Sequence, residues 1–98
     1  MTRSLFVPAL LLLLAGCVTT SEDEPQPWDN DERSELHRRM GVNYFQQGQI
    51  EVAKEELELA LRIDPGNSRA HLAMAQLQTR LGDLASARHH YSRAVRLD

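Results

Sequence analysis

Sliding the chain along itself by 34 residues brings like onto like. His37 falls on His71, Met40 on Met74, Gly48 on Gly82 and Ile50 on Leu84. The register holds to the last residue, with Ala53 on Ala87, Leu57 on Tyr91, Ala60 on Ala94, Arg62 on Arg96, Ile63 on Leu97 and Asp64 on Asp98. A fixed period of this length marks a stack of supersecondary units, each of which buries its apolar face only against the next.

Inside a unit the period is helical. In IEVAKEELELALRI, the residues Ile50, Ala53, Leu57, Ala60 and Leu61 recur every three or four positions and draw one stripe along a helix. Ala53 and Ala60 are small enough to let paired helices approach closely, while Leu57 and Ile63 fill the space beside them. Glu51, Lys54, Glu55, Glu58 and Arg62 fall largely off the stripe, and Glu58 and Arg62 stand at the i,i+4 spacing of an ion pair. Gly48 and Gly82 mark short turns, and Asp83 is placed to cap the helix after it. In DPGNS, Pro65 ends one helix, Gly66 permits the turn, and Asn67 or Ser68 can cap the next. Four helices are expected, Ser34 to Gln47, Ile50 to Ile63, Ser68 to Leu81 and Leu84 to Leu97, in two antiparallel pairs.

The residues Gly41, Tyr44, Ala53, Leu57, Ala60 and Pro65 resemble the signature of the tetratricopeptide repeat, whose period is also 34. The second unit keeps Gly82, Ala87, Tyr91 and Ala94 but has Ala75 in place of Gly41 and Gln78 in place of Tyr44. The resemblance implies an all-α chain of helix-turn-helix repeats, the start of an α-solenoid, with units at 34–67 and 68–98. It also implies that partners are held in a concave groove lined by the first helix of each pair. The groove positions are then Glu35, Arg38, Val42, Phe45 and Gln46 in the first unit and Arg69, Leu72, Gln76, Thr79 and Arg80 in the second. Phe45 is either partly buried packing or a binding hot spot.

Residues 1–16 stand apart from the repeats. Arg3 in a short basic head, an apolar body from Leu5 to Leu14 and small residues before position 17 have the layout of a secretory signal peptide. The run falls well short of the roughly 20 apolar residues that cross a bilayer. Cys17 is the only cysteine, so it can pair only with another chain. Leu14, Ala15, Gly16 and Cys17 resemble the bacterial lipobox, which implies cleavage before Cys17 and transfer of a diacylglyceryl group to its thiolate. Two or three acyl chains, at about 0.8 kcal/mol per buried methylene, hold a protein on a membrane where one chain does not. Cys17 is then an anchor and not a catalyst. An ordinary cleaved signal, or an apolar N-terminus with a chance cysteine, is the plainer alternative. In Gram-negative lipoproteins an aspartate directly after the cysteine favours the inner membrane; Val18 stands here, so the expected address is the outer membrane, on its periplasmic face.

Removing residues 1–16 leaves about 80, enough for one small domain. Ten basic side chains then face fourteen acidic ones, a net charge of −4 that does not point to nucleic acid. From Val18 to Glu32 there are six acidic residues and no basic one, and Pro25 and Pro27 disfavour helix. Residues 17–33 therefore read as a lipidated cysteine followed by an acidic, flexible tether. Trp28 can lie at a membrane interface, pack on the first helix or contact a partner.

His89 and His90, with His71 and His37, invite a metal reading. Adjacent helical residues diverge by about 100 degrees, and no cysteine or carboxylate stands at ligand spacing beside them. They read better as helix-face side chains, and His37 and His71, which share a repeat position, as packing between helices. No phosphate-cradling glycine loop and no Ser, His and Asp arrangement is present. No enzyme, cofactor or metal is expected; the chain should bind other proteins.

Signal peptide, lipobox, tether and repeat units opening with RRMGVNYFQQGQIEVAKEELELALRIDP resemble the type IV pilus biogenesis and stability lipoproteins of the PilF/PilW type, the pilotins. That resemblance implies a lipid-anchored scaffold that brings its partner, the secretin, to the outer membrane for assembly. The alternative is a general periplasmic tetratricopeptide lipoprotein that gathers cell-wall or envelope assembly enzymes. Stable solenoids need about three or more units and an end cap. The two units ending at Asp98 should thus be a truncated array, or a domain completed by a partner or by self-association, with Leu84, Ala87, Tyr91 and Ala94 as an exposed apolar stripe. Residues 34–67 carry a net −2 and residues 68–98 a net +3, a split that suits head-to-tail stacking.

Overall fold

A computed structural model of the chain describes residues 29–98. The expectations for Leu14, Ala15, Gly16, Cys17 and Trp28 lie outside the described residues. Four helices follow one another: α1 (Asn30–Gln46), α2 (Ile50–Ile63), α3 (Ser68–Leu81) and α4 (Leu84–Leu97). The last three have the expected bounds.

The first begins four residues before Ser34, so the end of the expected tether is helix. Asp29 causes this: its Oδ1 accepts the Glu32 amide at 2.9 Å and supplies the missing partner at the helix N-terminus. Asp31 and Glu32 in the first turn then face the positive end of the helix dipole, where their charge stabilises helix instead of opposing it.

The other boundaries follow local chemistry. Gly48 and Gly82 both adopt φ of 82°, the left-handed region that ends a helix without a side-chain clash. Asn67 accepts the Ala70 amide at 3.0 Å and Asp83 accepts the Ser86 amide at 3.2 Å, so each caps the helix that follows. Of the two candidates in DPGNS, Asn67 is the cap.

The helices form two antiparallel hairpins. Contacts run up one helix as they run down the other: Ser34 meets Ala60, His37 meets Glu56 and Gly41 approaches Ala53. Gly41 is required by closeness, because a Cβ there would stand 2.7 Å from Leu57 Cγ and 3.2 Å from the Ala53 carbonyl oxygen. The hairpins stack through α3, which packs on both α1 and α2, whereas α4 packs only on α3 among the described elements. Ala53, Leu57, Ala73, Met74 and Leu77 form the core at this joint, with Val42, Tyr44, Phe45, Ile50 and Leu61 packed around it.

One polar clasp locks the joint. The fully buried Ser34 hydroxyl donates to the Ala60 carbonyl at 2.8 Å and accepts from Asn67 Nδ2 at 2.9 Å. Since Asn67 also caps α3, a single side chain fixes where the second hairpin starts relative to the first.

Candidate partner-binding surface

The five positions of α3 expected to line a groove are open. Arg69, Leu72, Gln76, Thr79 and Arg80 are all exposed, while Ala70, His71, Ala73, Met74, Ala75 and Leu77 on the rest of the helix are buried. Thr79 turns its hydroxyl back to the Ala75 carbonyl at 2.8 Å.

The five positions of α1 are more engaged. Gln46 is exposed, but Glu35 and Arg38 are half-buried and paired with each other, and Val42 and Phe45 pack against the core at the joint. The Arg80 guanidinium lies over the Phe45 ring, 5.5 Å from its centroid. Phe45 is thus packing between the two units, with a cation over its face. Of the positions expected to line a groove, those on α1 are thus largely pinned and those on α3 are exposed, Arg69 and Arg80 among them.

The exposed apolar stripe differs from the expected one. Leu84 and Tyr91 are exposed, but Ala87 and Ala94 are buried. The correction follows from size: alanines at these positions let α4 come close to α3, and the close approach covers them. The stripe is instead Leu84, Tyr91 and Val95, with Leu97 and, on α3, Leu72 and Leu81 also exposed. Val95 was legible in the repeat, since it falls on Leu61 at the 34-residue offset.

His37, His71 and His90 pack between helices, and His89 is exposed on α4. His37 Nδ1 donates to Glu56 Oε1 at 2.7 Å, and the equivalent pair in the second unit is His71 with His90, Nδ1 to Nδ1 at 3.0 Å. His71 Nε2 stands 2.9 Å from the Pro65 carbonyl, which can only accept. In neutral His71 the proton is therefore on Nε2, and Nδ1 accepts from His90 Nδ1. The two rings stack at 5.2 Å, and His89 meets His90 edge-on at 5.1 Å. Burial first, then the charges of His71 and His89, hold the His90 imidazole below its ordinary value. Among the described residues, no three His, Cys, Asp or Glu side chains come together as a metal site.

Glu58 and Arg62 do not pair, contrary to their spacing. They line a shallow recess between α2 and the second hairpin together with Leu61, Met74, Gln78 and His90. The Gln78 Oε1 atom is buried there without a hydrogen-bond partner, at the position that Tyr44 fills in the first unit. No described helix is long and apolar enough to cross a membrane.

Two stacked helical hairpins on a 34-residue period, with small residues at the close approaches, agree with a family model. Residues 44–98 match the tetratricopeptide repeat. The chain belongs to the tetratricopeptide repeat family. It is also similar to the type IV pilus assembly protein PilF of Pseudomonas aeruginosa, with 39% identity over 75 residues. That match takes in 74% of this chain and spans 30% of the relative's length. Tetratricopeptide units are interaction scaffolds.

Proposed function

We propose that the chain is a lipoprotein anchored through Cys17 to the periplasmic face of the outer membrane, where its groove holds a secretin during type IV pilus assembly. The observation that carries this reading is the 39% identity over 75 residues to a type IV pilus assembly protein. The lipobox Leu14 to Cys17 supplies the anchor, and the acidic tether lets the repeats stand off the headgroups. The open half of the groove, with Arg69 and Arg80 flanking Leu72, Gln76 and Thr79, suits an acidic or amide-rich segment of the partner.

The test is a pull-down from detergent-solubilised membranes with the lipidated chain. Secretin should co-purify, and Cys17→Ala should move both chain and secretin out of the outer-membrane fraction. Arg69→Glu with Arg80→Glu should lower secretin recovery about tenfold without changing the anchor. Recovery of cell-wall hydrolases in place of secretin would replace this reading with that of a general envelope scaffold.

A further inference from the structure

The recess between α2 and the second hairpin is walled by three described helices: Glu58, Leu61 and Arg62 come from α2, Met74 and Gln78 from α3, and His90 from α4. Its volume is about 410 Å³, room for one long side chain. Where the first unit has the bulkier Tyr44, the second has Gln78, whose Oε1 is buried with no donor on it. A buried acceptor in that state costs free energy that a bound donor recovers.

The histidine pair supplies another acceptor. The Pro65 carbonyl takes the His71 Nε2 proton, and His71 Nδ1 takes the proton of His90 Nδ1. Neutral His90 therefore carries its lone pair on Nε2, the nitrogen that the bond to His71 leaves free. With the Glu58 carboxylate, the residues of the recess offer three acceptors beside the apolar Leu61 and Met74.

We infer that this recess is a site for a primary ammonium, the end of a lysine side chain of a partner protein. An ammonium brings three donors and no acceptor, matching Glu58, Gln78 Oε1 and His90 Nε2, whereas a guanidinium would bring five donors to the same three groups. The four-carbon stem of lysine suits the apolar surface of Leu61 and Met74. Charge around the recess selects the source. Glu51, Glu55 and Glu58 are all exposed along α2, a field that draws a basic segment and repels an anionic lipid surface. Arg62 is the one cation of the recess; it suits the carbonyl of the bound lysine and opposes a second cation beside it. None of the six residues is among the positions expected to line a groove, so the site stands whether or not that groove holds a secretin.

The probe is Nα-acetyl-lysine methylamide, titrated into the full chain in detergent at about pH 7.5, where His90 is neutral. Binding is read by NMR on the Gln78 side-chain amide and the His90 ring. The probe should saturate both with a dissociation constant of about 1 mM, as fits so small a ligand. Its Nε-acetyl form keeps the stem, loses the charge and should bind about tenfold more weakly. Glu58→Gln and Gln78→Leu should each weaken the probe about tenfold, the former followed on both resonances and the latter on the His90 ring. Gln78→Leu should also keep or raise the thermal midpoint, because it removes a buried unpaired acceptor. Gln76→Ala, exposed on α3 and outside the recess, should leave binding as it is.

Equal binding of the Nε-acetyl form, or equal binding to the Gln78→Leu chain, overturns the inference. So does the lack of a saturable shift at about 10 mM probe, which would leave the recess to water. Shifts produced by phosphatidylethanolamine bicelles and not by the probe would move the ammonium to a lipid headgroup and overturn the assignment to lysine.

Discussion

The two units occupy one register and meet opposite conditions. Leu57 and Tyr91 are equivalent, yet the first is 1% exposed and the second 39%. Both sit on well-formed helices of 14 residues with the same turn before them, so helix formation does not separate them. What separates them is α3, which lies on α2 and has no counterpart on α4 among the described elements. Burial at these positions belongs to the neighbour, as expected when stability is a sum of unit and nearest-neighbour terms.

Gly41 and Ala75 teach the same lesson at closer range. Beside the enclosed Leu57 there is no space for a Cβ, and the residue is glycine. In the second unit Tyr91 takes the place of Leu57, and the residue equivalent to Gly41 is Ala75, fully buried.

Truncation offers the sharpest way to break this comparison. Leu57→Ala should cost about 2–5 kcal/mol in urea unfolding, the range for emptying an enclosed site. Tyr91→Ala should cost less than about 1 kcal/mol, as for a surface change. Equal losses would mean that α4 is covered in solution.

The clasp gives a second pair. Ser34→Ala leaves Asn67 Nδ2 without its partner and the Ala60 carbonyl with the Asp64 amide alone, and should cost about 1–3 kcal/mol. Its equivalent Ser68 lines an open recess with Arg69, Leu72 and Asp98, so Ser68→Ala should stay within about 0.5 kcal/mol. Gly41→Ala comes next, because overpacking against Leu57, about 1–3 kcal/mol, outweighs the gain of about 1 kcal/mol in helix propensity. A net loss near the small end of that range is expected in thermal unfolding, and a gain would show that Leu57 can move aside.

The smallest effect separates the histidine pairs by pH. The folded His90 titrates below 6.5, so the unfolded chain binds more protons once pH drops under that value. The His90 contribution to stability is therefore complete above 6.5 and is lost as pH falls toward the lowered folded value. Thermal melts should show a lower midpoint at mildly acidic pH for the native chain. His90→Glu copies the His37 and Glu56 pair of the first unit and should remove that loss. A decline unaltered by His90→Glu would assign the acid sensitivity to other groups.

The repeat, the four helices and the bounds of the last three are legible in the residues alone. The signals involved are short in range: Gly48 and Gly82 take a left-handed φ, Asp83 and Asn67 cap, and the apolar stripe has helical period. The early start of α1 was also written locally, in Asp29 followed three residues later by Glu32, but the neighbouring prolines and acids spoke for a tether. The groove positions followed from the repeat frame, yet the frame treats Phe45 and Thr79 as equals. Helix packing sets Arg80 over Phe45, joins Ala60 to Asn67 through Ser34, and bonds His71 to His90. It likewise decided that Ala87 and Ala94 are covered while Val95 is open. These are contacts between residues 19 to 35 positions apart, or the lack of them, and they depend on how helices lie across one another. Capping and periodicity act within one turn or one helix, so they specify elements, whereas burial is settled only when the elements meet.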